Sequence, residues 1–136
     1  MELKKVTPES LGPRLRRGLA TVSFHQSGRV VFSEGTVKRL GLSFLFGISG
    51  VDIFQGDRSS DFYVSHGSTY RLRRNGKGGA ILKCAALSDL VIRDTWRIAP
   101  HIQSEVLPEK IVFVVCDNPV DDKENCCVFA LLRKKI

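Results

Sequence analysis

Gly28 and Gly78 stand fifty residues apart, and each lies in a turn between two short runs of strand composition. LATVSF and RVVF flank the first turn, HQSG; TYRLRR and AILKC flank the second, NGKGG. Strands joined so tightly form hairpins. Each hairpin then leads directly into a short helical pattern. After RVVF, Ser33 stands where a helix N-cap belongs, Glu34 and Thr36 suit a first turn, and EGTVKRLGL stops at Gly41. Gly35 keeps that helix short. VDIFQ and DFYVSH follow as two more strands, joined by the loop composition of GDRSS.

The second half repeats the order. AALSDLVI reads as a short helix, TWRIAPHI and KIVFVV as strands, and CCVFALLRK as an additional C-terminal strand. An offset of fifty sets Phe32, Leu40 and Leu42 over Leu82, Leu90 and Ile92. The first strands match better at an offset of 48, which predicts a turn two residues longer in the second copy. The expected fold is therefore mainly β with short helices (α+β). It comprises one compact domain over 19–136 with pseudo-repeats at 19–66 and 68–132, behind a flexible basic arm over 1–18 broken by Pro8, Gly12 and Pro13.

A length of 136 residues and a hydrophobic fraction of 43% suit one globular domain. No apolar run reaches the roughly 20 residues of a membrane helix. LGLSFLFGI is short and contains glycines, and the N-terminus has no apolar signal region, so a soluble cytoplasmic protein without a membrane partner is expected. Cys84, Cys116, Cys126 and Cys127 show no Cys-x-x-Cys spacing. Buried free thiols are expected, and no metal is expected with His25, His66 or His101. Those histidines stand in no nucleophile–base spacing, and GKGG lacks the spacing of a phosphate-binding Walker loop. The expectation is a non-enzyme without a cofactor.

The formal charge is +7 and unevenly distributed. Basic residues crowd the first segment and close the chain as Arg133, Lys134 and Lys135, where solvated tails are the ordinary explanation. Arg71, Arg73, Arg74 and Lys77 form an internal cluster instead, while the matching positions before the first turn (Ser23, Phe24, His25, Gln26) carry no fixed charge. Two packed copies would make one side of the molecule much more basic than the other.

SGRVVFSEGTVKRLGL resembles the swapped-hairpin module of the AbrB/MazE (SpoVT-AbrB) superfamily. Gly28-Arg29, Val30-Val31-Phe32 and Leu40-Gly41-Leu42 carry the likeness, and VDIFQ with DFYV supplies the last strands. Ser33 stands where the family commonly has proline, and Val22 and Ser23 lack the basic residues that DNA-binding members place in the first strand. Family members usually interleave hairpins from two chains. The resemblance implies an AbrB-like β-barrel that two ββαββ-type copies would close within one chain, and a DNA-binding regulatory role.

The expected partner is nucleic acid, DNA first, contacted at its phosphates by Arg29, Lys38, Arg39, Arg71, Arg73, Arg74 and Lys77. Binding of single strands would need aromatics beside the basic groove, and Phe24, Tyr63, Tyr70 and Trp96 are the candidates by type. The alternative is a non-enzymatic interaction or assembly accessory protein of a mobile element or phage. Its exposed acidic loop DNPVDDKEN (117–125) would pair with basic faces between copies in a homo-oligomer.

Overall fold

The computed structural model describes residues 2–3, 5, 19–44, 49–76, 78–96, 107–123 and 126–133. Nearly all of the expected arm, and Lys77, lie outside them. The elements are β1 (Thr21–His25), β2 (Arg29–Phe32), α1 (Glu34–Arg39), β3 (Ser49–Gln55), β4 (Phe62–His66), β5 (Tyr70–Asn75) and β6 (Gly79–Lys83). They continue with α2 (Ala85–Trp96), β7 (Lys110–Val115), β8 (Asp121–Lys123) and β9 (Cys126–Arg133).

All pairings are antiparallel. The strand order β4-β3-β5-β6-β2-β1-β7-β9 closes on itself through β4 and β9, giving an eight-stranded barrel with β8 added beside β9. A barrel of this size is just wide enough for side chains to fill, so strands must alternate inward apolar and outward polar residues. They do so. Val22 and Phe24 point inward on β1 while Thr21, Ser23 and His25 do not; Ile111, Phe113 and Val115 are buried on β7. Phe113 meets Phe24 edge-on at 5.5 Å between ring centroids and Phe62 at 6.3 Å.

The expected start and stop of α1 are both present. Ser33 Oγ accepts from Thr36 N (3.3 Å) and from Thr21 N (2.9 Å) and donates to Leu19 O (3.1 Å), so it caps the helix and ties it to β1. At the other end Gly41 takes φ +67°, with Gly41 N donating to Lys38 O (3.1 Å) and Leu42 N to Val37 O (3.0 Å). That pair of bonds is a Schellman motif, and it needs a residue comfortable at positive φ. Ser33→Ala is expected to destabilise the fold by about 1–2 kcal/mol, at the upper end for a cap because it also removes the bonds to Thr21 and Leu19; urea denaturation of the two proteins checks this.

Three expectations are corrected. The two hairpin loops have equal length: β1 and β2 pair up to Phe24↔Val30, β5 and β6 up to Asn75↔Gly79, and both registers correspond at an offset of fifty throughout. Gly28 and Gly78 occupy the same position in them, at φ +91° and +86°. The apparent offset of 48 reflected side-chain likeness without shared register. Second, Thr95 and Trp96 belong to α2 and do not begin a strand. Leu87, Ser88, Val91, Ile92 and Thr95 form one buried helical stripe, and burial of that stripe overrides the strand preference of Thr-Trp. The remainder of TWRIAPHI lies outside the described residues. Third, the acidic segment 117–125 contains β8, whose backbone pairs with β9 at Asp121↔Val128.

Each hairpin turn sits beneath the start of a helix. A Cβ on Gly28 would stand 3.0 Å from Ala85 Cα at the beginning of α2, and one on Gly78 would stand 2.9 Å from Glu34 Cδ at the beginning of α1. Asp52 fixes the connection from β4 to β5 by accepting from Ser68 N (3.1 Å) and Thr69 N (2.9 Å). Among the described residues, no helix is long and apolar enough to cross a membrane.

Candidate nucleic-acid interface

Strand register decides which outward cations become neighbours. On the outer face, Arg29 of β2 stands opposite Lys83 of β6, and His25 of β1 stands opposite Lys110 of β7. His25 and Arg29 bracket the β1–β2 turn, which brings the two pairs side by side. Arg71 of β5 flanks a cleft whose other wall holds Lys83. The result is a row, Arg71–Lys83–Arg29–His25–Lys110, that crosses five adjacent strands in the order β5-β6-β2-β1-β7. At ~4.8 Å per paired strand the stretch from Lys83 to Lys110 spans roughly 14 Å, and Arg71 lies beyond it across the cleft.

The four fixed cations are exposed and His25 is half-buried. Two side-chain ion pairs occur among the described residues, Lys38 with Glu34 (3.1 Å) and Arg39 with Asp117 (3.2 Å), and neither involves the row. The His25 imidazole is held below its usual pKa, first by burial, then by repulsion from Arg29 and Lys110, with Glu109 partly opposing them. Its Nε2 lies 3.2 Å from Ser23 Oγ. Beyond Arg71 the surface dips into a pocket lined in part by Ser49, Gly50, His66, Gly67 and Ser68.

The row draws on both hairpins, His25 and Arg29 from the first and Arg71 and Lys83 from the second, and its charge is not repeated at the equivalent positions. Fifty residues from Arg71, Lys83, Arg29 and His25 stand Thr21, Ser33, Gly79 and Asn75. None carries a charge.

Of the residues singled out in the sequence, Arg29 and Arg71 come together in this row. Arg73 is the next outward position on β5, opposite Ile81. Arg74, opposite Ala80, sits near the other end of β5 and is exposed. Lys38 and Arg39 lie on α1. The Lys38 ion pair with Glu34 is well exposed, whereas Arg39 donates to Val115 O (2.9 Å) and Cys116 O (3.5 Å) and so anchors α1 to the end of β7. Lys83 and Lys110 were not legible as site residues. Each is an isolated lysine at a strand terminus, and only the register of strands distant in sequence aligns them.

No aromatic candidate joins the row. Phe24 is in the core, Tyr70 is half-buried against it, Tyr63 lies on β4 opposite Phe54 and Ala130, and the Trp96 ring has the Arg133 guanidinium 5.5 Å from its centroid. Comparison with known protein families, with curated proteins and with solved structures finds no match to this chain.

Proposed function

We propose that the chain is a nucleic-acid-binding regulatory protein that grips the phosphate backbone, duplex DNA first, along the row from Arg71 to Lys110. The observation that carries this reading is the alignment across five adjacent strands of a histidine and four exposed cations that have no ion-pair partner among the described residues. Like charges directly opposite each other destabilise a sheet. Arg29 opposite Lys83 is such a pair, and a polyanion lying over it converts repulsion into attraction. The absence of an aromatic in the row favours phosphate contact over base stacking as the main source of affinity.

The reading of the barrel as two AbrB-like copies belongs to the same proposal. Exchange β1, β2, β3 and β4 with β5, β6, β7 and β9 and every pairing in the ring maps onto another: β1–β2 onto β5–β6, β1–β7 onto β5–β3, and β3–β4 onto β7–β9. The β2–β6 and β4–β9 pairings map onto themselves. A duplicated swapped-hairpin unit is the simplest origin of that network, and it supports DNA as the polyanion.

His25 adds a pH dependence with a definite sign. Free, the imidazole resists protonation, first because it is partly buried and then because Arg29 and Lys110 flank it. Phosphates over the row would favour the imidazolium, so binding would take up a proton and affinity would rise as pH falls from 7.5 toward 5.5. Glu109 is the carboxylate that softens this effect. His25→Gln is expected to flatten the dependence without removing binding at pH 7.5.

The reading itself is tested by fluorescence anisotropy of labelled duplex and single-stranded oligonucleotides at two salt concentrations. Salt-sensitive binding weakened by Arg29→Ala and Lys83→Ala supports it. Concentration-dependent self-association without polyanion affinity would replace it with an assembly role.

A further inference from the structure

The ladder between β5 and β6 sits one pair nearer its turn than the ladder between β1 and β2. It runs from Asn75↔Gly79 to Arg73↔Ile81, where the β1–β2 ladder runs from Phe24↔Val30 to Val22↔Phe32. Beyond Arg73 the two strands bond only to their outer neighbours, β5 to β3 at Gly50↔Arg71 and β6 to β2 at Arg29↔Lys83. A cleft of about 480 Å³ opens between them, lined by Arg71–Leu72–Arg73 and Ile81–Leu82–Lys83. In the β5–β6 register Arg71 and Lys83 would face each other, and two like charges at directly opposed positions resist closure.

The cleft therefore combines three features of a small-anion site. It is concave and of a size typical of small-molecule pockets, about 300–1,000 Å³. Three exposed cations, Arg71, Arg73 and Lys83, stand around it with no ion-pair partner among the described residues. Half-buried Ile81 supplies an apolar wall on the outer face beside Arg73. Guanidinium groups bind phosphate oxygens in a fork, and two of them beside an ammonium match the charge of a di- or triphosphate better than that of a single phosphate.

We infer that the cleft between β5 and β6 is a binding site for a compact polyphosphate, either inorganic or the phosphate tail of a nucleoside polyphosphate whose base rests on Ile81. The site is separable from the nucleic-acid row because Arg73 belongs only to the cleft and Lys110 only to the row.

Calorimetric titration of the full chain with sodium tripolyphosphate and with ATP, both in EDTA, tests it. Saturable one-to-one binding is expected, together with a rise in melting temperature, since a ligand held by the folded state alone stabilises it. Arg73→Ala should weaken binding roughly ten-fold or more, as expected when a charge-assisted hydrogen bond is lost, while Lys110→Ala leaves it unchanged. ATP binding more tightly than tripolyphosphate would identify the nucleoside form, and equal affinities the inorganic one; either supports the site. Absent or non-saturable binding would overturn the inference, as would equal losses in Arg73→Ala and Lys110→Ala. Failure of DNA binding alongside intact polyphosphate binding would overturn the nucleic-acid reading and leave this one standing.

Discussion

The fourfold variant Arg29→Ala, Arg71→Ala, Lys83→Ala, Lys110→Ala is expected to lose nearly all salt-dependent affinity for duplex DNA. Each phosphate neutralised releases condensed counterions, and the logarithm of affinity falls with the logarithm of salt at a slope of about −0.9 per contact. Four contacts give a slope near −3.6, or about a 150-fold loss of wild-type affinity between 50 and 200 mM salt. Each single alanine should make the slope shallower by about one unit, and the fourfold variant should bind with almost no slope. The row cations are exposed, so the variants should melt near the wild-type temperature, or above it where Arg29 and Lys83 no longer repel. Arg74→Ala, at the other end of β5, is the matched control. A slope unaffected by the four substitutions would remove the row from the account even if the protein binds DNA.

That experiment differs from the one the sequence alone would suggest. Read linearly, YRLRRNGKGG is the densest internal cation cluster, and Arg71, Arg73 and Arg74 are the natural triple substitution. Strand alternation divides that cluster. Arg71 and Arg73 share the outward register, while Arg74 stands opposite buried Ala80. The partners that complete a continuous row come from β6 and β7 as lone lysines, and no property of a local window marks them. By contrast, several features governed by neighbouring residues were readable: the two glycine-containing turns, the Ser33 cap, the Leu-Gly-Leu stop and the alternation along β1. Arg39 differs in the opposite direction. Its place beside Lys38 in a last helical turn suggested a surface cation, but the fold brings the carbonyls of Val115 and Cys116 and the carboxylate of Asp117 to it. Long-range register and closure, invisible in local sequence, decide the site.

Phe113→Ala should produce the largest loss of stability, because Phe113 joins parts of the ring that no local contact holds together. β7 lies between β1 and β9, and β9 closes the barrel against β4. The Phe113 ring is 1% exposed and packs edge-on against Phe24 from β1 and Phe62 from β4. Truncating a buried phenylalanine to alanine costs about 3–5 kcal/mol, from lost burial and from the cavity that remains. An edge-to-face pair adds about 0.5–1.5 kcal/mol beyond area, and two are lost here, so the upper half of that range applies. For a chain of this length the melting temperature should fall by roughly 10–20 °C. Phe54→Ala, 43% exposed on the outer face of β3, should move it by only a few degrees and serves as the control. Circular dichroism melts of the three proteins decide the matter. A fall in Phe113→Ala no larger than in Phe54→Ala would mean that the aromatic cluster does not hold the barrel closed. Below its lowered transition the Phe113 variant should still bind DNA with the wild-type salt slope, since the barrel's outer cations depend on strand register and not on how tightly the interior is filled.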